Sequence, residues 1–137
     1  SGRADIVFTQ GDVRAVQLAK GAIRAGIEIL LEEAGIETAQ LDEVTIAGAF
    51  GSYIDVGSAI VIGMLPDLPL DRFSQIGNAA GIGAKLALVS HGHRSTAEHI
   101  ATRSKYIELS GGSRFRDAFM RALGYPPINS SDSVQRM

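Results

Sequence analysis

The stretch DEVTIAGAF, residues 42–50, restricts the fold more than any other part of the chain. It is mostly apolar and β-branched at its centre, the pattern of a strand buried on both faces in a sheet that helices cover from either side. It runs into GAFGSYID (48–55), with two glycines and an alanine where the strand hands over to a helix. A strand that only filled a core would end in bulkier residues. In open α/β sheets ligands bind beyond the carboxyl ends of the strands. Gly48 and Gly51 therefore mark the first place to look for a site.

Hydrophobic periodicity fills in the rest. DIVFT (5–9) reads as a short strand, and Thr9 with Asp12 three residues later reads as an N-cap with an acidic first turn. From there to Ala34, Val13, Val16, Ala19, Ile23, Ile27, Leu30 and Ala34 recur at helical steps, and Gly35 supplies the stop. A second stripe, Ala15, Ala19, Ala22 and Gly26, is uniformly small and predicts a helix sandwiched closely between neighbours. A short helix over 56–64 precedes the breaker LPDLPL. FSQIGN (73–78) is another strand, and Asn78 can cap a helix over 79–90. HGHRST turns the chain before a helix over 96–104, then KYIELS (105–110) is a strand and GG a turn. The helix over 114–123 turns Phe115, Phe119, Met120 and Leu123 inward. Residues 126–137 lack periodicity and read as a flexible tail. Strands alternating with helices imply an α/β architecture with a largely parallel sheet.

Composition excludes several functions. A chain of 137 residues is one domain's worth, and 45 % hydrophobic with 20 % charged residues is a globular balance. A net charge of −2 argues against a general nucleic-acid or anionic-membrane surface, since both need clustered Lys and Arg. No apolar run approaches membrane-spanning length, and no signal segment opens the chain. Zero cysteines rule out a disulfide, a thiolate metal site or iron–sulfur ligation within this chain, and suit a cytoplasmic location. The first residues, SGRADIVFTQ, carry no initiator Met, as expected of a piece of a longer polypeptide.

Phosphate loops fail on spacing. In GNAAGIGAK (77–85) an alanine separates Gly83 from Lys85 and Leu86 follows, which breaks the Walker pattern. GIGAKL (81–86) puts Leu86 where a dinucleotide fingerprint needs its third glycine. For Gly48 and Gly51 two readings stand: a tight turn needing positive φ and nothing more, or a main-chain surface cleared for a flat ligand. Lys20 and Arg24 lie one helical turn apart in a stripe with Gln17 and Glu28. They are either a solvated face with an Arg24–Glu28 pair or a cationic edge that packs on a base or bonds a ribose. His91, His93 and His99 lack further ligands in view for a metal, and a helix C-terminus would account for the first two. Paired carboxylates, a nucleophile elbow and Ser/His/Asp spacing are all lacking.

Four segments taken together, QLAKGAIRAGIEILLEEAGI (17–36), VTIAGAFGSYID (44–55), IGMLPDLPLDRFSQIGNAAGIGAKLALVS (62–90) and YIELS with FRDAFMRAL (106–123), resemble the C-terminal part of the reductive activators of corrinoid proteins. Those proteins couple a ferredoxin-like domain to an ATPase of the acetate and sugar kinase, heat-shock chaperone and actin type. The resemblance implies part of a ribonuclease-H-like lobe of that ATPase fold over residues 1–125. It carries Gly48, Ala49, Phe50, Gly51 and Ser52 over as the turn that approaches the adenosine. It gives Lys20 and Arg24 a place beside the nucleoside, and Gly81, Gly83 and Ala84 a packing role in a helix that crosses a hinge partner. ATP with Mg, and an iron–sulfur cluster, are implied for the parent polypeptide only, since the phosphate hairpins and cluster cysteines of the family lie upstream. The implied partners are those upstream domains and a corrinoid protein returned from Co(II) to Co(I), with a homodimer left open. A piece with half a nucleotide cleft is expected not to hydrolyse ATP at a useful rate. The alternative from another class is a docking module that binds a corrinoid protein without nucleotide.

Overall fold

The computed structural model describes residues 6–109 and 112–127. Helix α1 (Gln10–Ala34) opens on the expected cap: Thr9 is extended, Asp12 N–H donates to its Oγ1 at 3.2 Å, and Thr9 N–H donates to Asp12 Oδ2 at 2.8 Å. That reciprocal pair satisfies two backbone donors that a helix otherwise leaves free. Gly35, left-handed at φ 66°, closes the other end through bonds to Glu32 and Leu31 carbonyls.

The Thr9 hydroxyl first, and its N–H second, hold the Asp12 carboxyl below its ordinary value of 3.8. A carboxyl lowered on folding stabilises fully above that value and loses its contribution as the pH falls through the lowered one. Amide protection in the first turn of α1, corrected for intrinsic exchange, is therefore expected to drop in acid below pH 3.8. Thr9→Ala is expected to reduce that protection at neutral pH and to flatten its acid response. A variant as protected and as acid-sensitive as the wild type would remove the cap from this account.

The chain forms two compact units. The first comprises the residues up to 40, 57–68 and those from 109 onward. In it α1 packs along α6 (Ser113–Ala122), and α3 (Val56–Val61) leads into a loop that supplies much of the core. Ala25, Ile29, Ala59, Ile60, Met64, Leu65, Leu68 and Ala118 are all buried. Close approach of α6 is possible because Gly21 lacks a side chain. A Cβ there would stand 3.3 Å from Phe119 Cε2 and from Leu123 Cδ2. Phe115 and Phe119 stack with ring centroids 6.0 Å apart. Arg114 bonds Glu33 at 2.8 Å and Arg121 approaches Glu28 at 3.6 Å, exposed pairs that contribute little on their own.

The second unit comprises 41–56 and 69–108. Strands β1 (Val44–Ala47) and β2 (Phe73–Gly77) pair in parallel, from Val44 opposite Phe73 to Ala47 opposite Gly77. A register shift passes over Ile76, which brings Gly77 level with the last residue of β1. Helix α2 (Gly48–Tyr53) packs on both strands, and α4 (Ala79–Val89) is followed directly by α5 (His91–Arg103).

Several expectations change. Residues 6–9 are not a strand: Ile6, 102 % exposed, has no neighbour to pair with, and Asp5 lies outside the described residues. Residues 105–109 likewise form no strand, while Ser110 lies outside the described residues. The strand expected over 42–50 stops at Ala47, because Gly48 at φ 93° turns the backbone into α2. The helix after Val56 ends at Val61, where Gly63 at φ 76° lets the chain fold back. α1 buries Lys20, Gly21, Ala25 and Ile29, not the stripe through Ala19, Ile23 and Leu30. The helix is apolar on more than one face, and the aromatic side of α6 selects the face that carries Gly21. Ala118 replaces Met120 as the inward residue of α6, Met120 being 63 % exposed. Of the expected tail, Pro126 lies against Gly63, and residues 128–137 lie outside the described residues.

α5 begins at His91, five residues earlier than expected, because Ser90 serves two helices. It closes α4 by donating its N–H to Leu86 O, and its hydroxyl accepts the His93 N–H to open α5. His91 and His93 thus occupy a helix N-terminus. The macrodipole there opposes positive charge and does not explain them.

Candidate functional site

The carboxyl ends of β1 and β2 lie side by side, and each carries a left-handed glycine, Gly48 just after β1 and Gly77 as the last residue of β2. Gly48 has φ 93° and Gly77 has φ 59°. Both values belong to the region that L side chains rarely adopt. A Cβ at Gly77 would stand 3.6 Å from Ser52 Oγ, so the two turns face each other across that hydroxyl. Ser52 Oγ in turn donates to Gly48 O at 3.3 Å. Ala49 and Ser52 are exposed, and Phe50 belongs to the same short helix.

The two glycines of the first turn are small for different reasons. A Cβ at Gly51 would fall 2.7 Å from Ile46 Cγ2 and 3.2 Å from the Ile46 carbonyl carbon and oxygen. The strand itself fills that space, so packing against Ile46 accounts for the missing side chain at 51. A Cβ at Gly48 would meet nothing within 4 Å. Among the described residues, then, nothing occupies its side-chain direction.

Gln75, in the middle of β2, positions this turn. Its amide nitrogen donates to Gly51 O and, at 2.9 Å, to Ile54 O, tying down the end of α2. Sequence reasoning passed over both Gln75 and Gly77. The available signal was a lone Gln in an otherwise small and apolar strand, and a glycine at that strand's carboxyl end.

Lys20 and Arg24 lie in the other compact unit. Lys20 is 1 % exposed, which removes the reading of a solvated face. Its amine donates to Gly124 O and lies 5.3 Å from the centre of the Tyr125 ring. Tyr125 donates its hydroxyl to Val13 O at 3.3 Å. Desolvation first, and Arg24 second, push the Lys20 pKa below its ordinary 10.5. Arg24 is half-buried and pairs with Glu28 at 3.0 Å, the expected i, i+4 contact.

Over residues 1–135 the chain matches the family described as the C-terminal domain of RACo, the ASKHA domain. The chain belongs to that family. It is 46 % identical over 116 residues to the corrinoid activation enzyme RamQ of Eubacterium limosum, covering 85 % of this chain and 20 % of that protein. A solved structure, a reductive activator for corrinoid, iron–sulfur protein, shares 39 % identity at a TM-score of 0.79. That alignment covers 89 % of this chain and 19 % of the other. The chain therefore spans about a fifth of the length of the relatives it matches. Its parallel strand pair and flanking helices are those of an ASKHA-type domain.

Gly81, Gly83 and Ala84 of this ASKHA domain take different places. A Cβ at Gly81 would stand 2.6 Å from Asn78 Nδ2, and Asn78 Oδ1 accepts the Gly81 N–H at 3.0 Å, so this glycine makes room for the cap of α4. A Cβ at Gly83 would meet nothing within 4 Å, and Ala84 is exposed. Among the described residues no group of three or more His, Cys, Asp or Glu stands together as a metal site would require. Among the described residues no helix is long and apolar enough to cross a membrane.

Proposed function

We propose that this domain supplies the adenosine side of an ATP site in a cytoplasmic polypeptide that returns Co(II) corrinoid proteins to Co(I). The observation that carries the reading is Gly48: a left-handed glycine at the carboxyl end of β1 whose side-chain direction meets no atom of the described residues. Family membership and the names of the relatives support the larger role. In this reading the main chain from Gly48 to Ser52 lies against the nucleoside, with Ala49 and Phe50 beside it and Gly51 as the internal packing point. Lys20 and Arg24 keep the nucleoside role that the family pattern gives them, Lys20 while also holding the segment at Gly124 and Tyr125. Gly81, Gly83 and Ala84 serve the crossing with an upstream hinge element.

ATP binding and hydrolysis would drive closure of two lobes, and that motion would favour electron delivery to the corrinoid. What this chain contributes is orientation of the nucleoside. Phosphate and Mg positioning belongs to upstream residues, because catalysis of phosphoryl transfer is mostly positioning and charge stabilisation around the phosphates. The chain lacks cysteine, so an iron–sulfur cluster held by thiolates belongs to another part of the polypeptide.

Equilibrium titration of the full-length polypeptide with a non-hydrolysable ATP analogue tests the assignment. Saturable binding is expected, and Gly48→Ala is expected to weaken it by about tenfold through displacement of the main chain, an effect of about 1.4 kcal/mol. A thermal midpoint measured alongside separates lost folding from lost binding. A folded wild-type protein that does not bind the analogue would end the reading.

A further inference from the structure

Lys20 faces two demands that its single amine cannot meet in one place. Its side chain is 1 % exposed, its Nζ donates to Gly124 O, and the centre of the Tyr125 ring stands 5.3 Å away. The functional reading above asks the same amine to touch a nucleoside. A side chain covered to this degree offers a ligand no surface, and any further chain packed around it can only add cover. Contact with a nucleoside therefore requires part of the cover to move.

One short segment after α6 supplies that part. Gly124, Tyr125 and Pro126 belong to no helix or strand. Tyr125 donates its hydroxyl to Val13 O at 3.3 Å, about two turns before Lys20 on α1, so its side chain lies along the helix between the two. Pro126 seats at Gly63, where a Cβ would fall 2.9 Å from the proline Cγ and 3.7 Å from Lys20 Nζ. The bare glycine thus admits the proline ring and the amine together. Among the described residues no carboxylate pairs with Lys20. A buried ammonium held by a carbonyl and a ring keeps a desolvation cost that a counter-ion would have offset. Its hold on the segment is therefore weak enough for a ligand to match.

We propose that the segment Gly124–Pro126 is an autoinhibitory strap: it withholds the Lys20 amine, and nucleotide competes with it for that amine. This rests on the functional reading above, which gives Lys20 its place at the nucleoside. Two claims on one group are coupled reciprocally. Whatever loosens the strap tightens nucleotide binding, and bound nucleotide loosens the strap.

The test measures the affinity of the full-length polypeptide for a non-hydrolysable ATP analogue. Tyr125→Ala removes the ring and its hydroxyl anchor but keeps Lys20, and it is expected to tighten binding by about threefold. Structural damage alone would weaken binding, so the sign separates the two causes. Tyr125→Phe keeps the ring and drops the bond to Val13 O, and it is expected to shift affinity the same way at smaller size. It stands in if Tyr125→Ala folds poorly. In a Lys20→Met background the effect of Tyr125→Ala is expected to vanish. Saturating analogue is expected to lower amide protection at Gly124 and Tyr125 in the wild type. Unchanged or weakened binding in both tyrosine variants overturns the strap and leaves the nucleotide reading intact. Tightening that persists without Lys20 overturns its part as the shared group, and the proposal with it. A folded wild type that does not bind the analogue ends both readings.

Discussion

Gly51→Ala is expected to destabilise the β1–α2 corner by about 1–3 kcal/mol, and Gly51→Val by more. The added Cβ falls 2.7 Å from Ile46 Cγ2 and 3.2 Å from the Ile46 carbonyl group. The methyl can yield by repacking, but the carbonyl belongs to the backbone of β1, whose register with β2 is fixed by Ile46 standing opposite Gln75. Gln75 also holds the Gly51 carbonyl, so α2 cannot slide away without losing that bond. Denaturant midpoints measure the loss, and Ile46→Ala provides the control. If Ile46 is what Gly51 must clear, Gly51→Ala costs less in the Ile46→Ala background, a coupling that a double-mutant cycle reads directly. Equal costs in both backgrounds would show that the Ile46 side chain is not the cause and would leave the cost with the Ile46 carbonyl. At temperatures where Gly51→Ala is folded, its ATP-analogue affinity in the full-length polypeptide is expected to match the wild type, in contrast to Gly48→Ala.

Lys20→Ala is expected to cost about 2–4 kcal/mol. The truncation empties the volume of a side chain that is 1 % exposed and removes the donor from Gly124 O. It also takes the cation from the Tyr125 ring. The segment it holds is where Pro126 lies against Gly63, so amide protection near Tyr125 is expected to fall with the global stability. Lys20→Met is expected to be milder, because an apolar chain of similar length fills the space and carries no charge to desolvate. The pH dependence has a definite sign. Burial lowers the folded pKa beneath 10.5, so between the lowered value and 10.5 the unfolded chain keeps a proton that the folded chain releases. Wild-type stability relative to Lys20→Met is therefore expected to grow as the pH rises through that window. A difference that shrinks with rising pH would mean that the amine is charged and content where it lies.

Much of the local structure was legible because its causes are local. Thr9 and Asp12 bond each other within one turn, Asn78 caps its own helix, and Gly35 stops α1 by adopting a conformation that needs no distant partner. The corner at Gly48 was visible for the same reason, as small residues at the end of a β-branched strand. The second role of Ser90 was missed, since a residue that ends one helix and opens the next looks like a loop when each helix is sought separately. Residues 6–9 and 105–109 form no strand because strand propensity becomes a strand only when a partner supplies the ladder.

By itself the sequence settled where α1 starts and stops, where β1 and β2 lie, and which family pattern the chain carries. Only the tertiary structure decided which face of α1 is buried, that Lys20 is an interior residue, and that Gly51 makes room for Ile46 while Gly48 carries a left-handed turn. The physical reason is one of range. Caps and strand composition act over three or four residues, whereas α6 reaches Gly21 and Gly124 reaches Lys20 from about a hundred positions away. Those contacts depend on which surfaces the fold brings together, and no periodicity in α1 records them.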